Sequence, residues 1–186
     1  TYEPSNNPGE LEYKFHTSFS REVLFSARNN PDNSDVIETG ESNTFLLEHT
    51  GAVSPIDSYQ INWNIWNEQP SLEIGSDFSY VRWQAKLGQI LRVGHRKWFE
   101  LDIIHASTSG ESPLQKKFQL GSPAILRGYP QQTDLSDDNL LASRLNFKFP
   151  LITKPLWGMM SAFKIQGTVF YDQGKIWSKN ISYEKA

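Results

Sequence analysis

Apolar and polar residues alternate along most of this chain with a period of two. That spacing sends successive side chains to opposite faces of a strand. Leu11, Tyr13 and Phe15 oppose Glu12, Lys14 and His16, and the same parity continues through Phe19, Val23 and Phe25. This pattern predicts one long strand, or two strands joined by a tight turn near Thr17-Ser18. Thr44 to Val53 is a second strand and contains a Gly, followed by a turn at Ser54-Pro55-Ile56-Asp57. Tyr59, Ile61, Trp63 and Ile65 then alternate with Gln60, Asn62 and Asn64. Val81, Trp83, Ala85 and Leu87 oppose Arg82, Gln84 and Lys86, and Phe99, Leu101 and Ile103 oppose Glu100 and Asp102. Leu141, Leu145, Phe147 and Phe149 face away from Arg144, Asn146 and Lys148. The last strand sets Phe163, Ile165, Val169 and Tyr171 against Lys164, Gln166, Thr168, Phe170 and Asp172.

The connections differ in length. Residues 28–42 and 67–76 are polar and rich in turn formers, and residues 107–138 form the longest connection, punctuated by Gly, Pro and Ser. The reading is an all-β antiparallel meander of seven or eight strands without helices. Its tight turns lie at one end and its long loops at the other, the arrangement of an outer-membrane barrel. Arg82, Lys86, Glu100, Asp102, Arg144, Lys148 and Asp172 share one side of successive strands. In a barrel that side faces a wet lumen, and the aromatic side (Tyr59, Trp63, Trp83, Phe99, Phe147, Phe149, Phe163 and Tyr171) faces lipid. In a soluble β-sandwich the aromatic side is the core instead, and alternation alone does not choose between the two.

Composition removes several classes. The chain has 18 Lys+Arg, 21 Asp+Glu and a net charge of -3, without the basic excess of a nucleic-acid binder. It has no Cys, which excludes a disulfide scaffold and thiolate metal sites. No apolar run reaches the roughly 18 residues of a membrane-spanning helix, but a transmembrane β-barrel needs only alternate apolar positions. The four His (His16, His49, His95 and His105) lack ligand-like spacing. Asp134, Asp137 and Asp138 cluster without matching a calcium loop. Glu100 and Asp102 share a strand face, as a charged wall would, and do not resemble the paired acids of a glycosidase. No nucleophile elbow or phosphate loop is present. No catalytic residue, metal site or cofactor is therefore expected.

Two short motifs sharpen the reading. The segment FQLGSPAILRGYP (residues 118–130) places Leu126-Arg127-Gly128-Tyr129 in the longest loop, and Phe170-Tyr171-Asp172-Gln173-Gly174 lies on the last strand. In this order, with the strand NLLASRLNFKFPL between them, they resemble the outer-membrane assembly and secretion barrels. That superfamily includes BamA, TamA, the two-partner-secretion transporters and the bacterial surface antigen domain. The resemblance is best over Phe118 to Trp177. It departs from the family at Gly121-Ser122, where the family has paired glycines.

The resemblance implies that the loop folds into the lumen and that Arg127 meets Asp172 on the inner wall. Gly128 would allow a tight bend and Tyr129 would pack on loop or wall. It also implies a non-enzymatic barrel of about sixteen strands that inserts or translocates unfolded client proteins at the outer membrane of a bacterium or of an organelle derived from one. Such a barrel contacts outer-membrane lipid and can work with accessory lipoproteins. The chain is then expected to be a single segment, residues 1–186, of a C-terminal barrel domain. Further strands and upstream modules would lie outside it, and its unpaired edges would leave it unstable alone. Two alternatives stand beside this: a barrel that anchors or exports a fused enzyme such as a patatin-like lipase, and a soluble β-sandwich binding module.

Overall fold

The computed structural model describes residues 9–24, 40–70, 75–121, 125–127, 136–152 and 165–178. It contains β1 (Leu11–Leu24), β2 (Gly40–Ile56), β3 (Tyr59–Pro70), β4 (Ser79–Gly94), β5 (Lys97–Glu111), β6 (Phe118–Gln119), β7 (Ser136–Asp137), β8 (Asn139–Ile152) and β9 (Ile165–Trp177). Seven of these form one sheet in the order β1-β2-β3-β4-β5-β8-β9, with every neighbour antiparallel. The meander is therefore all-β, and the sheet is open, with β1 and β9 as its edges. β6 and β7 make a two-stranded ladder inside the long connection, next to a single 3-10 turn at Leu114–Lys116.

Up to the register shifts at one end, paired residues share parity in every strand pair. Glu12 pairs with Ala52, Ala52 with Asn62, Asn62 with Gly88, Gly88 with Asp102, Asp102 with Arg144, and Arg144 with Asp172. Side chains alternate along a strand, so all even positions fall on one face and all odd positions on the other. The register shifts, at Val53/Ile56, Arg92/Gly94 and Pro150/Ile152, all lie at the same end of the sheet.

The two faces are chemically opposite. The even face carries Glu48, Glu68, Arg82, Lys86, Glu100, Asp102, Arg144, Lys148 and Asp172. It also carries the buried apolar patch of Ile104, Ala106, Leu140 and Ala142, which lies under Phe118, Leu120 and Leu126 of the long connection. The odd face is uncovered. Every exposed large hydrophobic side chain among the described residues is odd-numbered except Ile56 and Phe170. On β1 to β3 of this face Tyr13, Phe15, His49 and Trp63 form a row of ring contacts in register with Leu87 and Ile103, and on β4 to β9 the aromatic groups gather toward both strand ends. Trp83, His105 and Trp177 make ring contacts at the long-connection end, and Phe99, Phe147 and Phe149 do so at the short-turn end. Between these groups lie Leu87, Ile103, Leu141 and Leu145. Of the aromatic side expected from the alternation, Phe163 lies outside the described residues, and the other members all occupy the odd face.

Several element boundaries differ from the pattern reading. β1 is a single strand through Thr17-Ser18. β2 runs on to Ile56, because a register shift beyond Val53 takes in Pro55, which has no N–H to donate to a ladder. β3 extends to Pro70 and β5 to Glu111, so the long connection starts at 112. Gly51 on β2 lies under the Trp63 indole, where a β-carbon would collide with the ring. This indole covers the backbone that a glycine leaves bare, as aromatic residues do opposite strand glycines.

Gly110, near the end of β5, has φ 94°, and a β-carbon there would approach the Ser79 carbonyl oxygen on β4 to 2.5 Å. Gly110→Ala should therefore lower stability by about 1–3 kcal/mol. Gly94→Ala, with open space around its β-carbon, should stay within about 0.5 kcal/mol of the parent. Denaturant midpoints of the two variants check the difference.

Candidate functional site

The long connection docks on the even face, and three residues of β9 at two-residue spacing receive it. Asp172 accepts three hydrogen bonds from Arg127: from Nε at 2.9 Å, from Nη2 at 2.6 Å and from the backbone N–H at 3.0 Å. The two side-chain bonds use both carboxylate oxygens, the fork geometry that a guanidinium supplies and an ammonium does not. The third bond ties the loop backbone itself to the wall. Asp172 is 4% exposed and Arg127 25% exposed, so the pair is well shielded on one side only. These hydrogen bonds raise the Arg127 pKa above its ordinary value despite partial desolvation.

Phe170 and Gly174 flank the acid on the same face. The Phe170 ring lies 4.1 Å from the Arg127 guanidinium carbon, a cation–π contact. This explains why an aromatic occupies a polar-face position. Gly174 leaves room for the loop: a β-carbon there would lie 2.7 Å from one methyl of Leu120 and 3.3 Å from one of Leu126. Leu126 is 3% exposed, and Gly121 is buried directly after Leu120. The structure thus brings together Leu126, Arg127, Phe170, Asp172 and Gly174. Gly128 and Tyr129 lie outside the described residues.

The charged wall continues beside this site. Arg144 pairs with Asp172 and with Asp102 in register, and Asp102 reaches Lys86 at 3.4 Å. Nearer the short turns, Glu100 accepts from Trp98 at 2.8 Å and from Lys148 at 2.6 Å.

A second polar cluster, which the motifs do not announce, lies on the wall of β1, β3 and β4. Glu68 accepts from the Tyr80 hydroxyl at 2.7 Å and from Arg82 at 3.2 Å, and the Lys116 ammonium stands 2.8 Å from it. Lys116 also donates to Glu22 of β1 at 2.8 Å. The Arg82 guanidinium carbon lies 5.0 Å from the Trp66 ring centroid and 4.4 Å from that of Phe118. Burial alone would lower the Lys116 pKa, but its bonds to Glu22 and Glu68 more than offset this and raise it, so the ammonium stays charged. The only sequence signal is the pair of lysines ahead of Phe118. Their partners are too distant in the chain for a pattern to show.

What the arrangement does chemically is to hold a loop. Its charged groups meet groups of opposite charge at Arg127–Asp172, Lys116–Glu68, Lys86–Asp102 and Lys148–Glu100. No family model matches the chain, and no curated protein matches it.

Arg127→Ala and Asp172→Ala should each lower the stability of the docked loop. Their coupling in a double-mutant cycle should be about 1–3 kcal/mol, with additive losses counting against a direct pair. Arg127→Lys should not restore the parent, because the fork is lost. Gly174→Val should displace Leu120 and cost about 1–3 kcal/mol as an overpacked contact. Limited proteolysis within residues 112–138 reports loop release in every variant.

Proposed function

We propose that this chain is part of an outer-membrane β-barrel that inserts or translocates other proteins, with the long connection lying in its lumen. The observation that carries this reading is the docking of Leu126 and Arg127 on the Phe-x-Asp-x-Gly strand, on the polar face of a sheet whose other face, among the described residues, is mostly apolar and exposed. A soluble domain rarely leaves so continuous an apolar surface open to water. Facing acyl chains, the same surface is favourable, and the aromatic groups toward both ends of β4 to β9 suit the two interfacial girdles. From Asn139 to Phe149 a strand advances about 33 Å. At the usual tilt that spans an apolar band about 25 Å tall.

A bilayer tolerates no free strand edge, so this reading requires further strands to pair with β1 and β9 and close the barrel. An eight-stranded barrel has room only for side chains, and a lumen holding a docked loop needs more strands than that. The expected partners are outer-membrane lipid, unfolded client proteins and accessory lipoproteins. Clients would engage where the barrel is weakly closed, since an open strand edge offers main-chain hydrogen bonds to any sequence.

The test uses the full-length protein in its own cells. It should fractionate with the outer membrane, need detergent for extraction and migrate differently on a gel when unheated. Leu145→Arg, on the odd face, should cost about 2–4 kcal/mol of stability in lipid, by the depth-dependent cost of a lipid-facing cation. Thr168→Arg, at an exposed position of the even face, should cost less. Depletion should lower the amounts of unrelated outer-membrane proteins. Recovery in the aqueous fraction without detergent would overturn the membrane reading. Normal levels of other membrane proteins after depletion would overturn the assembly reading alone.

A further inference from the structure

Besides its apolar patch on β5 and β8, the long connection makes ion pairs with the wall at two places, and they lie toward opposite sides of the sheet. Arg127 is tied to Asp172 on β9, one edge strand. Lys116 stands between Glu22 on β1, the other edge strand, and Glu68 on β3, 2.8 Å from each. The neighbouring lysine behaves differently: Lys117 lies 3.7 Å from Asp138, within the connection itself. Lys116 is held in place from behind, because its N–H closes the 3-10 turn on the Pro113 carbonyl at 2.9 Å. Two residues later Phe118 stacks on Arg82, whose guanidinium also serves Glu68. The lysine, the stacked arginine and the shared carboxylate form one linked cluster, separate from the Arg127 site.

We propose that Lys116 is a second positioning residue for the loop, tying its first limb to β1 and β3 as Arg127 ties its second limb to β9, so that the two ties fix where the loop sits on the apolar patch that holds it, and it shifts across the even face only when both break. One tie alone would let a limb swing. Two ties on opposite walls make the loop a strap across the face, since whichever tie persists keeps the other limb near its partner. That the face is a lumen rests on the barrel reading; the two ties do not.

The experiment uses the full-length protein carrying Gln119→Cys as a thiol reporter in the first limb, with maleimide labelling rate as the readout. Lys116→Met should speed labelling roughly three- to tenfold, within the range of one coupled contact. Glu22→Gln, a substitution on the partly exposed side of β1, should speed it in the same direction and add little on top of Lys116→Met. In planar bilayers, Lys116→Met and Arg127→Ala should each raise conductance modestly, and the double variant by more than the sum. Heat-modifiable migration checks that each variant is folded. Unchanged labelling in both Lys116→Met and Glu22→Gln, or full additivity between them, overturns the tie. An Arg127→Ala variant as conductive as the double variant overturns the need for both ties. If the labelling cycle holds but no variant forms pores, the tie stands and the barrel reading falls.

Discussion

Everything in this fold depends on the parity shared by seven strands. A one-residue slip in a sheet moves every side chain to the other face. If β9 slipped by one residue against β8, Asp172 would turn to the apolar face, Arg127 would lose all three of its bonds, and Tyr171 would take the place beside the loop. The register is therefore held from two sides. Chemical alternation along each strand gives it a direction, and the docked connection adds a specific check at β9. The shifts at Val53/Ile56, Arg92/Gly94 and Pro150/Ile152 do no harm, because they fall beyond the last charged position that contacts the loop.

Two kinds of energy hold the connection, and they do different things. Phe118, Leu120 and Leu126 are nearly fully buried, and each contributes about 1.5–3 kcal/mol of burial free energy. The ion pairs contribute less, because Arg127 and Glu22 keep contact with solvent and partial exposure screens such pairs. Apolar burial thus supplies most of the attraction, offset by the entropy of ordering a long segment. Burial has no direction and would tolerate several placements of the leucines. The forked pair at Asp172 tolerates one. The charged groups set where the loop sits, and the hydrocarbon sets how firmly.

Strands and faces were legible in the sequence because polar and apolar side chains contrast along them, and the contrast was lost where the loop covers the wall. At Ile104, Ala106, Leu140 and Ala142 the even face becomes apolar because it lies under Phe118, Leu120 and Leu126. The stretch from His105 to Gly110 then shows small or polar residues on both faces. It reads as loop, although β5 runs through it to Glu111. Pro55 misled differently, because a register shift places it in the strand at a point where the ladder asks it for no hydrogen bond. The motif residues of β9 were legible only through the family resemblance that the two motifs and their order carry. The Lys116 cluster was not legible, because Glu22, Glu68, Tyr80 and Arg82 come from three strands and carry no local signature.

The spacing of the β9 motif follows from strand geometry. Only every second residue of a strand faces a docked loop; Ile176 packs against the leucine cluster, and the stretch at Arg127 meets β9 at positions 170, 172 and 174. Each meets a different demand of the same short stretch of loop. The guanidinium needs a flat electron-rich surface, which Phe170 provides, and two acceptor oxygens, which Asp172 provides. Leu120 and Leu126 need empty space where a β-carbon would stand, which Gly174 leaves. Tyr171 and Gln173 point to the other face and are exempt from all three demands. An aromatic, an acid and a glycine at alternate positions thus hold one arginine beside two leucines on this strand.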